Sequence, residues 1–374
     1  MKWRSGVGQR VLLVSGIWSL LHVYVGQRLL AHTSLAAGWR AAGWAVIVLL
    51  ALAPFAAFFA GRVRRGRLTS ALEWAGFSAM GLSSLLVVFV LAGDALHLRS
   101  WLGPSAFSVG VVGSALAVVV AGTWRAQRPA RVRTVDVPIA GLPGDLEGLR
   151  IVQLSDLHVG PTLKRAFVER IVATANGLRP DVIALTGDVA DGFPPALRHD
   201  VAPLAALRAP LGKYFVTGNH EYYWDAAGWV RELERLGFRA LLNAHRLLRR
   251  GAARLLLAGV TDLSASGLVT AHASDPAAAV AGAPASDVRV LLAHQPKSAF
   301  AARAVGFDLQ LSGHTHGGQY FPFNLLVRLF QPFVAGLHRL EAMWLYVSRG
   351  TGYWGPPLRL GAPAEITLIQ LTRA

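Results

Sequence analysis

Five short motifs gather carboxylate, amide and imidazole side chains, the donors that hold divalent cations. They are Ser155-Asp156-Leu157-His158, Gly187-Asp188-Val189-Ala190-Asp191, Gly218-Asn219-His220-Glu221, His294, and Gly313-His314-Thr315-His316-Gly317. A pair of such cations needs hard oxygen and imidazole ligands, with one carboxylate bridging both ions at roughly 3.5 to 4 Å. Asp188 suits the bridge. In extended backbone, residues two apart point the same way, so Asp156 with His158, and His314 with His316, can converge on one centre. A single Asp-x-His or His-x-His is more often a surface pair or a capped turn, so the specificity lies in finding all five. The chain has no cysteine, which removes disulfides, thiolate metal sites and thiol nucleophiles. Ser155 lacks the Gly-x-Ser-x-Gly surroundings of a serine nucleophile and reads as a strand-end hydrogen bonder. His22, His32, His97, His199, His245, His272 and His338 stand outside the motifs and read as ordinary surface or locally satisfied residues.

What must position these residues is a set of short apolar runs, each ending where a motif begins. Leu149–Leu154, Val182–Thr186, Tyr214–Thr217, Leu255–Gly259, Val288–Ala293 and Leu309–Ser312 have the length and continuity of buried strands. Helices are expected between them, at Lys164–Asn176 and Trp229–Leu236. The pattern predicts an α/β layered domain over residues 135–374, and such folds assemble their sites at the carboxyl ends of strands. The Ala-rich tract Ala277–Ala285 reads as a surface loop.

Together, and in this order, the motifs resemble the calcineurin-like metallophosphoesterase family, whose pattern runs Asp-x-His, Gly-Asp-x-x-Asp, Gly-Asn-His-Glu/Asp, His, Gly-His-x-His. Every element is present, and the resemblance covers essentially Val135 to Ala374. It implies an α/β/β/α sandwich and a phosphoesterase with two divalent metal ions, for which Mn, Fe and Zn are all suited. It further implies that Asp156, His158, Asp188 and His316 hold the first ion, and Asp188, Asn219, His294 and His314 the second. His220 would contact the phosphate and help the leaving oxygen depart, with Asp191 tuning it, while Glu221 would be structural. A metal-activated hydroxide would then attack in line, with no protein nucleophile.

The N-terminal third is of another kind. The 374 residues are 53% hydrophobic, with a mean hydropathy of +0.42, too apolar for one ordinary soluble domain. Four apolar stretches, about 11–25, 41–60, 71–93 and 105–122, approach the roughly 20 residues that cross a bilayer, giving a transmembrane region over 1–125 and a basic linker over 126–134. The formal charge of +16 concentrates there: residues 1–133 hold fourteen Lys/Arg against Glu73 and Asp94. Basic residues flanking apolar runs mark the cytoplasmic face of a membrane, which argues against a nucleic-acid footprint. Lys2, Arg4, Arg10, Arg62, Arg64, Arg65, Arg67, Arg125, Arg128, Arg131 and Arg133 fall on one side, against Arg28, Arg40 and Arg99 on the other. This predicts a multi-pass protein of a bacterial-type inner membrane with its catalytic domain in the cytoplasm. The spans, with Val347-Ser348-Arg349-Gly350-Thr351-Gly352 and Pro357-Leu358-Arg359, resemble the membrane-associated YkuE/YaeI-type phosphodiesterase branch.

A phosphodiesterase held at a bilayer should meet lipids or lipid-linked sugar nucleotides, and no obligate protein partner is implied. The apolar segment Tyr320–Val334, directly after the last motif, either touches lipid or packs as core. Tyr222, Tyr223 and Trp224 either stack on substrate or pack. The alternatives are a phosphomonoesterase acting on phosphoprotein, and a non-catalytic membrane protein that binds a ligand; the second would be expected to have lost a ligand residue, and none is missing.

Overall fold

The computed structural model describes residues 2–60 and 66–374, with the side chains of residues 2–11 and 67 outside the description. By packing, the chain divides into one unit of residues 1–124 with 355–358 and another of 125–354 with 359–374. In the first, helices run over Lys2–Leu30, Ala37–Ala60, Arg67–Ala95 and Leu98–Leu102, and Pro104–Ala126 leads out of it. Among the described residues, three of these helices, not four, are long and apolar enough to cross a membrane: Ala37–Ala60, Leu68–Ala95 and Pro104–Ala126. The span expected over 11–25 lies within the helix Lys2–Leu30, whose apolar run is interrupted by polar groups committed to other helices. Trp18 Nε1 donates to Ala51 O at 3.0 Å, His22 Nε2 lies 3.0 Å from Ser83 Oγ, and Tyr24 and Arg28 both reach Asp94. The orientation deduced from four spans therefore no longer follows. Of the basic residues counted for it, Arg62, Arg64 and Arg65 lie outside the described residues, as do the side chains of Lys2, Arg4, Arg10 and Arg67.

The second unit contains twelve strands among its described residues: β1 (Arg131–Ile139), β2 (Arg150–Leu154), β3 (Val182–Thr186), β4 (Lys213–Val216), β5 (Arg239–Ala240), β6 (Ala244–Arg250), β7 (Ala253–Gly259), β8 (Val288–Leu292), β9 (Leu309–Ser312), β10 (Gly336–Leu340), β11 (Met343–Val347) and β12 (Glu365–Arg373). Residues 131–134, read from sequence as linker, are the first four of β1. One sheet has the order β1-β12-β2-β3-β4-β5, the other β10-β11-β9-β8-β7-β6. Strands β2 to β5 and β7 to β9 with β11 pair in parallel. This explains why β2 to β4, β7 to β9 and β11 are largely apolar runs rather than alternating ones: both faces are covered.

Alternate residues along each strand sort into three cores. Ile151, Val182, Ala184, Val216 and Ile369 meet Leu255, Leu257, Val290, Leu292 and Leu311 between the sheets. Their neighbours Val152, Leu154, Ile183, Leu185 and Phe215 face outward against Val168, Ile171, Trp229 and Leu233 of the helices Arg165–Gly177 and Ala226–Arg235. On the far side Leu291, Ala293, Leu345 and Val347 pack on Ala299 and Ala302 of the helix Ala299–Val305. The layers are thus helix, sheet, sheet, helix. Each buried Val, Leu, Ile or Phe side chain contributes about 1.5–3 kcal/mol. The tract Ala277–Ala285 is not simply a surface loop: Asp275 Oδ1 accepts from Ala277 N and Ala278 N, capping a helix Pro276–Val280 whose Ala279 is fully buried. An N-terminal cap of this kind stabilises a short helix that composition alone does not suggest.

Candidate metal centre

Strands β2, β3, β4, β8 and β9 end on the same edge of the two sheets, and each is followed by one of the five motifs. Asp156 (φ 54°), His158 (47°), Asp188 (53°), His314 (71°) and His316 (51°) all take left-handed backbone, which costs of the order of 1–3 kcal/mol each and persists only where the surroundings over-determine it. Here the loops are sewn together. Asp156 N donates to Gly187 O (3.0 Å), His158 N to Asp188 O (3.1 Å), and His314 N to both carboxylate oxygens of Asp156 (3.0 and 3.1 Å). Glu221, fully buried, accepts from Asp188 N (3.0 Å), Val189 N (2.8 Å) and Gly218 N (2.6 Å), so one carboxylate straps two of the loops. Burial and the neighbouring Asp188 push its carboxyl up to about 7. Two glycines are required by space. A Cβ on Gly218 would stand 2.2 Å from Asp188 Oδ1, and one on Gly313 would stand 2.2 Å from Asp156 Oδ2.

The ligand atoms fall into three interlocking groups. Asp156, His158 and His316 form the first, with His158 Nε2 at 3.0 Å from His316 Nε2 and His316 Nε2 at 3.5 Å from Asp156 Oδ1. Asp188, His294 and His314 form the second, with His294 Nε2 at 3.1 Å from Asp188 Oδ2 and 3.2 Å from His314 Nδ1. Asp188 Oδ2 also lies 3.8 Å from His158 Nε2, so this one carboxylate faces both groups. Asn219 carries a buried Oδ1 with no hydrogen-bond partner among the described residues. Such an orphan acceptor costs about 1–3 kcal/mol, and a cation would satisfy it. That orphan oxygen and the hard oxygen and imidazole donor set fit a divalent-metal site. The structure thus brings six of the seven expected ligands into two groups and sets Asn219 beside them, one residue before His220, whose N donates to Asp188 Oδ1 (2.9 Å).

The third group is His158, Asp191 and His220. Asp191 Oδ1 accepts from His158 Nδ1 (3.0 Å) and from His220 Nδ1 (2.6 Å), so a single oxygen orients both rings. Burial opposes a charge on Asp191, but the His158 and His220 imidazoles outweigh it and hold the carboxyl well below the usual range. Burial likewise opposes a charge on His220, yet Asp188 and Asp191 push it up to about 9. His316 is held neutral by burial, reinforced by His158 and Arg359. His294 Nδ1 donates to Thr186 O at 2.8 Å; against burial, Asp188 draws a further proton onto this ring, one that a cation would displace.

Two supporting residues were not read from the sequence. Arg359, completely buried, donates through Nη1 to His316 O (3.0 Å), Arg349 O (2.8 Å) and Ala362 O (3.1 Å), and its Nη2 lies 3.1 Å from His316 Nδ1. It fastens the last motif. Its sequence signal was the Pro357-Leu358-Arg359 run, but 43 residues separate it from His316. Asp262, also buried, accepts from Gln295 Nε2 (2.9 and 3.0 Å), which follows His294. Ser155 Oγ donates to Thr186 O at 3.3 Å as a strand-end hydrogen bonder. Tyr223 is exposed and lies tilted against the His220 ring, with centroids 5.2 Å apart, whereas Tyr222 Oη is turned to His272 Nδ1 at 2.9 Å.

Comparison with known proteins agrees with this geometry. The profile described as calcineurin-like phosphoesterase matches residues 149–318. A transmembrane protein with metallophosphoesterase domain from Bos taurus is 40% identical over 267 residues, 68% of this chain and 60% of that protein. Uncharacterized metallophosphoesterases of Campylobacter jejuni (37%, 71% of this chain and 69% of that one) and Bacillus subtilis (YkuE; 30%, 67% and 89%) are also similar. The chain spans about three fifths of the length of the vertebrate relatives it matches.

Proposed function

This chain belongs to the calcineurin-like metallophosphoesterase family, metal-dependent hydrolases of phosphate esters, and on that premise we propose that it is a dinuclear phosphodiesterase acting on an amphiphilic phosphoester at a bilayer. The observation that carries the reading is Asp188, whose Oδ2 faces His294 at 3.1 Å and His158 at 3.8 Å, between the two ligand groups. Asp156, His158, Asp188 and His316 would hold one ion, and Asp188, Asn219, His294 and His314 the other. Bound there, divalent cations supply charge neutralisation for the phosphate and a water acidic enough to ionise near neutral pH.

The chain's own residues supply the rest. Asp188 and Asp191 favour a proton on His220 against burial, pushing it up to about 9. Its Nδ1–H is fixed on Asp191, and its Nε2 lies 3.9 Å from Asp188 Oδ2, on the side of the ligand groups. It is therefore placed to donate to the departing oxygen. Asp191 holds this ring and the His158 ring in fixed orientation, and Glu221 keeps two of the ligand loops in register. The three apolar helices support a membrane location. Arg125, Arg128, Arg131 and Arg133, just after the last of them, favour a cytoplasmic catalytic domain by the positive-inside rule.

The test is hydrolysis of bis-p-nitrophenyl phosphate, and of its monoester counterpart, by the full chain in detergent, stripped of metal and resupplied with Mn²⁺, Fe²⁺ or Zn²⁺. Restored diester activity with two ions per chain, lost in Asp188→Asn, is expected. One ion per chain at full activity would refute the dinuclear reading, and preference for the monoester the phosphodiesterase.

A further inference from the structure

At the β10 end of the second sheet, on the same edge as the metal-binding loops, lies a cavity of about 370 Å³ whose lining includes Gly317, Asn324, Arg328, Gln331, His338 and Arg349. Gly317 directly follows His316, and a Cβ on it would stand 3.1 Å from Arg349 Cγ, so the cavity shares a wall with the last ligand motif. Thr315 Oγ1 donates to Val334 O at 2.5 Å, tying that motif to the cavity's other side. Among the described residues no acidic side chain lines it. Arg349 is partly neutralised by Glu365 at 3.0 Å, but among the described residues no carboxylate stands within ion-pair distance of Arg328. Asn324 Oδ1 and Gln331 Oε1 are buried there without hydrogen-bond partners among the described residues.

Two guanidinium groups call for an anion, and two orphan acceptors call for donors on the same molecule. Beside them the segment Phe323–Phe330 exposes an apolar ridge: Leu329 is 75% and Phe330 71% accessible, with Leu325 and Leu326 also outside. Contiguous apolar side chains of this kind mark a lipid or partner contact. We propose that this cavity is a substrate subsite for a second, non-scissile anionic group, and that the substrate is a lipid with two phosphates joined by a short hydroxylated linker. The scissile phosphate sits at the ligand loops, the second phosphate on Arg328 and Arg349, the linker hydroxyl donates its one hydrogen to Asn324 Oδ1 or Gln331 Oε1, and the acyl chains lie on Leu329 and Phe330. This rests on the phosphodiesterase reading above. It adds a determinant that the metal ligands do not contain.

The experiment uses the full chain with metal in mixed micelles, following bis-p-nitrophenyl phosphate hydrolysis under competition. Cardiolipin supplies two phosphates across a glycerol, phosphatidylglycerol one, and glycerol 1,3-bisphosphate two without acyl chains. Cardiolipin should compete more strongly than phosphatidylglycerol by roughly tenfold, the size of one charge-assisted hydrogen bond. In Arg328→Glu that ratio should collapse toward one, and Arg328→Lys should keep most of it. Inorganic phosphate, measured on each variant, reports the metal centre separately. A ratio near one in the unmodified protein, or one that survives Arg328→Glu, would overturn the subsite. Equal competition by soluble glycerol 1,3-bisphosphate would overturn the lipid assignment. Absence of hydrolysis with every metal would instead refute the phosphodiesterase reading, and the subsite with it.

Discussion

Replacing Asp191 by Asn keeps the shape of the side chain and removes its charge, and the consequence can be worked from two distances. One oxygen accepts from His158 Nδ1 at 3.0 Å and His220 Nδ1 at 2.6 Å. With a charged acceptor such bonds are worth about 1.5–3 kcal/mol each, with a neutral one about 0.5–1.5, so two bonds lose about 2–3 kcal/mol. That corresponds to a rate loss of roughly 30- to 150-fold. Where the loss appears is diagnostic. His220, pushed up to about 9 largely by Asp188 and Asp191, would return toward its ordinary value and protonate the leaving oxygen less well. An aryl leaving group departs without that proton, whereas an alkyl one needs it. At saturating metal, kcat on a dialkyl phosphodiester should therefore fall by the full factor, and on bis-p-nitrophenyl phosphate by much less. The sign of the pH effect follows: because the acid must be protonated, turnover of the dialkyl ester should decline as pH rises, and in Asp191→Asn, which removes one of the two carboxylates that favour the proton, the decline should come at lower pH. Equal losses on both substrates would refute the general-acid role and leave Asp191 acting only through the ligand His158.

Glu221→Ala would orphan three buried backbone donors at about 1–3 kcal/mol each, so a large drop in thermal unfolding temperature is expected before any change in chemistry is read. Glu221→Gln gives a pH signature. The raised carboxyl contributes stability that is fully present below its ordinary value of 4.5 and lost as pH rises through about 7, so in chelated protein the wild-type advantage over the Gln variant should shrink across that interval. Trp229→Ala removes a fully buried indole whose Nε1 donates to Gly192 O at 3.0 Å, and should cost about 3–5 kcal/mol in denaturant unfolding while leaving metal affinity near wild type. Phe330→Asp, at an exposed position, should leave the unfolding temperature unchanged, whereas Phe333→Asp, packed against the core that includes Leu345 and Val347, should lower it. Manganese titration in weak buffer should release protons, because Asp188 holds one on His294 that the ion displaces; calorimetry in two buffers of different ionisation heat measures it.

Much of the fold was legible because parallel strands buried on both faces are short continuous apolar runs. Val182–Thr186 and Leu309–Ser312 are strands over the bounds expected, and Leu255–Gly259 lies within β7. The first helix was over-read as a span, because its apolar residues are countable in sequence while the commitment of His22, Tyr24 and Arg28 to Ser83 and Asp94 is not. The segment Tyr320–Val334 could not be assigned to core or surface from composition, and it proved to be both: Tyr320 is buried and Phe333 packs against the core, whereas Leu329 and Phe330 between them are exposed.

By itself the sequence determined which residue types could bind a metal and in what order they leave the strands, since a motif's chemistry and a strand's periodicity are both local. Only the tertiary structure decided that β1 and β12, from opposite ends of the second unit, pair along nine residues. It alone set Asp188 between two ligand groups, gave one Asp191 oxygen to two imidazoles, and fastened His316 by Arg359 from 43 residues away. Such contacts join segments far apart in the chain. Their partners and register are chosen by packing and by the need to satisfy buried polar groups, neither of which is written in any one stretch of residues.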